Sequence, residues 1–310
     1  MIKAILTLLI VAAAVMLLAV LIPAAEIQAA PDWLYYDNGT AADPSSSFKF
    51  QGVRFSLPDD VVKTQLLTVS FYYSGEGCPV TVHVTSFDHN TDLITPVECS
   101  VVDGWNDVDL SASNLFVPHN FYVVLENQDQ YCGSPEVDDD ESSGRSFKGR
   151  FLQSLNTRLS RNLLIRSEVG PPASIPVANE WNVNITEKVK IKIKGQKPET
   201  DMSNPAEKWT LFDDGSFQKD DGIYGTWRQK GLKFAVSLDP EDIGDVIKGI
   251  FPEDVTEVLV TKISFTGSEK KDGTIKGKYK VYAGVHFHDE NGNVKVGTII
   301  IEQNFTGTPE

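Results

Sequence analysis

The chain has 310 residues, of which 43 are Asp or Glu and 28 are Lys or Arg, giving a formal net charge of −15. That balance speaks against a nucleic-acid partner, whose affinity would have to come from basic residues meeting phosphates. The three cysteines, Cys78, Cys99 and Cys132, match no zinc-ligand spacing, and an odd count leaves one thiol over.

Residues 1–30 read as an export leader rather than part of the fold. Lys3 supplies a short basic start, residues 4–25 are apolar apart from Thr7 and Pro23, and residues 26–30 form a polar, small-residue tail. The apolar run also reaches the roughly 20 residues that span a bilayer. Two outcomes stay open: cleavage after Ala30, or retention as a membrane anchor. In both, the remainder is expected to be secreted, periplasmic or at the cell surface, and it meets a membrane only through this segment if uncleaved.

Residues 31–170 carry 20 acids and 9 bases, so most of the negative charge lies here. Short runs follow one another: 48–56, 67–73, 80–85, 93–99, 105–110, 121–127 and 162–168. Val80, Val82 and Val84, for example, alternate with Thr81, His83 and Thr85. Period-two alternation marks strands with one buried face, and several at short spacing predict a β-sandwich. The hairpin centred on Asp88-His89-Asn90 brings Cys78 nearly opposite Cys99, which makes Cys78–Cys99 the expected disulfide. Asp138, Asp139, Asp140 and Glu141 sit in one acidic loop whose oxygens suit calcium, the one ion expected here; the alternative is a solvated acidic loop.

Several segments resemble jelly-roll domains, related in shape to galactose-binding modules, that are appended to secreted bacterial and archaeal proteins. They are Tyr36-Asp37-Asn38-Gly39-Thr40, Gly52-Val53-Arg54-Phe55, Gly104-Trp105-Asn106-Asp107-Val108-Asp109-Leu110, Phe121-Tyr122-Val123, Gly144-Arg145-Ser146-Phe147 and Asn162-Leu163-Leu164-Ile165-Arg166. The resemblance implies a fold and an accessory role. On such a domain Trp33, Tyr35, Tyr36 and Trp105 either stack on sugar rings or fill the core.

Residues 171–178 are proline-rich and read as a short, semi-rigid linker. In residues 179–310, Val189, Ile191 and Ile193 alternate with Lys190, Lys192 and Lys194. A meander follows, with turns at Asp214-Gly215, Asp221-Gly222 and Lys230-Gly231. These dipeptides suit tight hairpins because Gly accepts the positive φ that such turns need. Asp239-Pro240 opens the single helical stretch, with Ile243, Val246, Ile247 and Ile250 on one stripe, and Pro252 ends it. Three longer runs close the chain, joined by Lys271-Asp272-Gly273 and Asn291-Gly292. About eight antiparallel strands in sequence order predict a closed meander barrel, since closure removes exposed edges.

Gly225-Thr226-Trp227 resembles the G-x-W motif of lipocalin-like barrels, and Phe265-Thr266-Gly267 and Phe305-Thr306-Gly307 look like strand endings of bacterial relatives of that shape. The resemblance implies a cavity for a small apolar ligand, lined by Phe217, Tyr224, Trp227, Phe234 and Phe265.

The expected fold class is therefore all-β: an N-terminal signal or anchor helix, a jelly-roll β-sandwich, then an eight-stranded antiparallel meander barrel with one short helix. No G-x-S-x-G or H-E-x-x-H motif is present, and no catalytic residue is assigned. His286 and His288, on one strand face beside the turn Asp289-Glu290-Asn291-Gly292, either hold a metal or face solvent at a hairpin tip. The expected function is non-catalytic binding of carbohydrate or a small apolar ligand. The alternatives are a structural or adhesive surface protein without a small ligand, and a secreted hydrolase.

Overall fold

In the computed structural model, residues 32–45, 48–87, 91–129, 132–155, 157–193, 199–220, 222–250, 255–288 and 294–310 are described. The leader 1–30, the turn residues 88–90, Asp221 and the turn 289–292 lie outside them. No helix among the described residues is long and apolar enough to cross a membrane.

The first unit contains β1 (Asp32–Leu34), β2 (Asp43–Pro44), β3 (Phe50–Ser56), β4 (Lys63–Ser74), β5 (Pro79–Ser86), β6 (Val97–Ser100) and β7 (Gly104–Asp109). It continues through β8 (Phe116–Pro118), β9 (Asn120–Asn127), β10 (Ser134–Val137), β11 (Ser146–Gly149), β12 (Thr157–Arg158) and β13 (Ile165–Pro172). One sheet runs β1-β13-β4-β10-β2, with β7 and β8 also on β4; the other runs β12-β11-β3-β9-β5-β6. The alternation read from sequence is what packs them together. Val69, Phe71 and Tyr73 of β4 meet Val80, Val82 and Val84 of β5 and Phe121, Val123 and Leu125 of β9 in one core. The run 93–99 is only partly a strand, because β6 begins at Val97. The proline-rich stretch begins inside β13, where the Gly170 carbonyl accepts the Thr64 hydroxyl at 2.7 Å.

The disulfide joins Cys78 to Cys132, with their Cα atoms 5.4 Å apart, and not Cys78 to Cys99 as the hairpin suggested. The cause is register. Cys99 stands opposite Val80, while the Cys78 carbonyl accepts the Val101 N–H, so the two cysteines lie two residues out of step. Cys78 meets the loop after β9 instead. Cys99 stays a free thiol, pushed up in pKa by burial.

The second unit contains β14 (Val177–Ile193), β15 (Glu199–Ser203), β16 (Ala206–Phe212), β17 (Ser216–Lys219), β18 (Tyr224–Lys230) and β19 (Lys233–Leu238). Then come α1 (Pro240–Ile250), β20 (Val255–Glu269), β21 (Ile275–His288) and β22 (Val294–Pro309). Each of β16 to β22 pairs antiparallel with its predecessor in space. The circle closes where β14 pairs with β22 from Trp181↔Pro309 to Ile193↔Gly297. This is a closed eight-stranded antiparallel barrel, with β15 as an extra strand on the far half of β14. The turn glycines Gly215, Gly222, Gly231 and Gly273 all take positive φ. β19 and β20 pair only at Lys233↔Ser268 and Phe234↔Gly267 and then part. The helix α1 connects them, and its Ile243 and Ile247 enter the barrel core.

The two units meet at a buried polar contact. Arg54 of β3, 1% exposed, donates to Asp239 at 2.8 Å and also bonds Asp242. Asn120 donates to Asp242 at 2.8 Å. His119 stacks on Tyr224 with ring centroids 3.4 Å apart, and the Tyr224 hydroxyl donates to the Asp59 carbonyl. Because the Val61 carbonyl can only accept, the 2.8 Å contact places the His119 proton on Nδ1.

This contact carries two opposed titrations. Burial pushes His119 down to about 4, so the unfolded chain takes up its proton first, and folding stability is lost as pH falls from 6.5 towards 4. Burial and the Asp239 charge push Asp242 up to about 6, so the folded state takes up that proton first, and stability is gained as pH falls through 6. Replacing His119 by Gln removes the first effect alone. The stability difference between wild type and His119→Gln should therefore shift in favour of the variant by about 2–3 kcal/mol between pH 7 and pH 4.5. Denaturant midpoints of both proteins across that range check this; parallel pH curves would refute it.

Candidate functional site

Inward-facing positions of the barrel form three levels along its axis. The first is aromatic. Trp209 lies 4.8 Å from Phe305 and 5.7 Å from Phe217, Phe265 lies 5.2 Å from Phe305 and 5.3 Å from Phe234, and Trp181 lies 5.6 Å from Phe234. These rings need room, and glycines on the same face provide it. A Cβ on Gly277 would stand 2.4 Å from the Phe305 ring, and one on Gly267 would stand 2.5 Å from Phe234. The rings pack against one another across that half of the barrel.

The second level is polar. Glu187, Glu207, Lys219, Tyr279 and Gln303 occupy inward positions of β14, β16, β17, β21 and β22. Lys219 pairs with Glu207 at 3.0 Å, and the Trp209 indole N–H donates to the same carboxylate at 2.9 Å. Glu187 accepts from Gln303 at 2.6 Å and from the Ser203 hydroxyl at 3.0 Å. Buried charge is tolerable here because each group has a partner of opposite sign or a hydrogen-bond donor.

The third level is aliphatic and hollow. Val189, Ile191, Ile223, Val281, Ile299 and Ile301 surround a chamber of about 620 Å³ that the polar level floors. The helix α1 caps it. Asp239 starts the helix, with its carboxylate accepting the Glu241 N–H at 2.9 Å, and the four-residue spacing sets Ile243 and Ile247 on one face. They are 5% and 1% exposed, each burial contributing about 1.5–3 kcal/mol. Val246 is 39% exposed at the mouth, beside Thr200, Asp201 and Pro205.

A larger groove, about 1060 Å³, opens at β18 to β22 and is lined by Phe234, Phe265 and Phe305 of the aromatic level together with Arg228, Lys230, Lys233, Lys276 and Lys278. Lys276 and Lys278 alternate with buried Ile275 and Tyr279, so these cations stand on the outer face in water. The chamber is the more enclosed of the two.

None of the residues expected to line the cavity lines the chamber, while Phe234 and Phe265 border the groove. Phe217, Phe234 and Phe265 belong to the aromatic level. Trp227 donates its indole N–H to the Phe212 carbonyl at 2.9 Å. Tyr224 faces the first unit. The chamber-lining set was missed, although one signal was present: Glu187 interrupts an inward series of Val183, Ile185, Val189 and Ile191.

In the first unit, Trp33 and Tyr35 are 40% and 57% exposed, and Trp105 is half-buried. Arg166 lies over Trp105 at 4.6 Å and over Tyr35 at 5.3 Å, held by buried Asp37 at 2.5 Å. Tyr36 instead stacks on Phe55 at 5.7 Å. Asp138 is fully buried and accepts the backbone N–H groups of Asn38 and Asn162, each at 3.2 Å; Asp139 accepts from the Asn38 side chain at 2.7 Å; Asp140 and Glu141 are exposed. His286 pairs with Glu257 at 2.8 Å, and both are exposed. Among the described residues, no three His, Cys, Asp or Glu side chains are grouped so as to hold a metal ion.

No family model matches the chain, and no curated protein matches it. Among solved structures it is similar to a β-glucuronidase from Ruminococcus gnavus in complex with uronic deoxynojirimycin, at 12% identity and a TM-score of 0.19. That likeness covers 68% of this chain and spans 46% of the other, and it is too low to carry an argument about fold or chemistry.

Proposed function

We propose that the protein is an exported, non-catalytic binding protein that holds a small amphipathic molecule in the aliphatic chamber of a lipocalin-like barrel. The observation that carries this is an apolar, helix-capped space over a hydrogen-bonded polar floor. Its volume falls within the roughly 300–1,000 Å³ of small-molecule sites, and its walls are mainly apolar with a few polar groups, as such sites are. Export accords with the leader sequence and with the disulfide, which belongs to an oxidising compartment.

A neutral apolar dye, N-phenyl-1-naphthylamine, tests the reading. It should bind saturably, with a blue-shifted emission. Val246→Trp, at the partly exposed mouth, should weaken it by about tenfold or more by filling the space without disturbing the core. Binding that does not saturate, or that ignores Val246→Trp, would overturn the chamber.

A second reading rests on Tyr35 and Trp105, which lie against Arg166 on a jelly-roll-like sandwich, and on exposed Trp33, in register with Glu168 nearby. Aromatic rings beside charged groups suit sugar stacking. Titration with soluble oligosaccharides, followed by Trp33→Ala, separates this from the barrel site.

A further inference from the structure

We infer that the chamber selects amphiphiles with a cationic head, of the alkylamine class, over fatty acids and alcohols of the same length; this rests on the chamber reading above. The charges in the lining are unequal. Three carboxylates, Glu187, Asp201 and Glu207, face one ammonium, Lys219. Lys219 is 5% exposed and is bound to Glu207 at 3.0 Å, so that pair is internally neutral. Glu187 remains in the floor with two neutral donors, Gln303 and Ser203, and no cation within ion-pair distance among the described residues. A carboxylate has about four lone-pair sites, so Glu187 can still accept from an entering N–H donor.

Position strengthens the case. Asp201 stands opposite Val189 in the β14–β15 register, on the face turned towards the chamber, and Glu187 stands opposite Ser203 one step deeper. Negative charge therefore runs from the exposed mouth at Asp201 to the floor at Glu187. An ammonium head meets an acceptor at both places, while its tail lies against Ile191, Ile243, Ile247, Val281 and Ile299. An ammonium–carboxylate hydrogen bond is about twice as strong as a neutral one, and more so in a site that excludes water. A fatty-acid head meets like charge along the same path, which is the repulsive half of specificity.

The test uses the full chain and displacement of N-phenyl-1-naphthylamine by decylamine, decanol and decanoate at pH 7, below their micellar concentrations. Decylamine is expected to bind about tenfold tighter than decanol, with decanoate weakest. Glu187→Gln should bring decylamine to the level of decanol, each compound being compared through displacement of dye bound to the same variant. Asp201→Asn, at the exposed rim, should weaken decylamine about two- to threefold, and it carries the test if Glu187→Gln does not fold. Equal binding of all three compounds, a preference for decanoate, or decylamine binding indifferent to both variants would overturn the head-group selectivity while the chamber stands. Failure of the dye and of all three compounds would overturn the chamber itself.

Discussion

Arg54→Ala is expected to lower folding stability by about 3–5 kcal/mol, the range for removing one partner of a buried ion pair. The guanidinium is 1% exposed and neutralises Asp239, also 1% exposed, together with Asp242. Truncation leaves two carboxylates in a dry interface with Asn120 as the remaining side-chain donor to Asp242. The loss should not stay local. Asp239 also starts α1, and α1 carries the two isoleucines that cap the chamber. Arg54→Ala should therefore lower the unfolding midpoint and weaken dye binding together, although Arg54 is not in the chamber lining. Urea unfolding and a dye titration on the same sample measure both. A variant with an unchanged midpoint would show that the contact does not hold the units together.

Breaking the Cys78–Cys132 disulfide should cost nearly as much. The bridge closes a loop across a sequence separation of 54, for which the chain-entropy model gives about 4 kcal/mol. Cys132→Ser and reduction of the wild type should produce similar losses, because both release the same loop. Thiol titration under denaturing conditions gives an independent reading: one thiol before reduction, from Cys99, and three after. Three thiols before reduction, or a midpoint indifferent to reductant, would refute the bridge.

Much of the barrel was legible in the amino-acid sequence because its determinants are local. Turn glycines at 215, 222, 231 and 273 need positive φ, and the alternation in 181–194 follows from a strand with one face inside. Asp239-Pro240 and the isoleucine spacing marked α1 as Pro240–Ile250 for the same reason, since a cap and a stripe involve only neighbours along the chain. In the sandwich, the longer runs became β3, β4, β5, β7, β9 and β13. Strands of two to four residues, such as β2, β10 and β12, left no pattern because so short a stretch holds too few alternations.

What only the tertiary structure decided involves partners far apart. Cys78 could be placed near Cys99 by a hairpin, but a two-residue offset in register gives it to Cys132. Asp239 was legible as a helix cap, while its second role depends on Arg54, 185 residues away. The aromatic residues of the barrel were legible as inward-facing, but not whether they would line a space or fill it. Gly267 and Gly277 let the rings close on one another, so that Phe234, Phe265 and Phe305 border an open groove while the more enclosed hollow lies among the aliphatic side chains under α1. Alternation tells which way a residue points; only closure of the β14–β22 pair determines what it meets there.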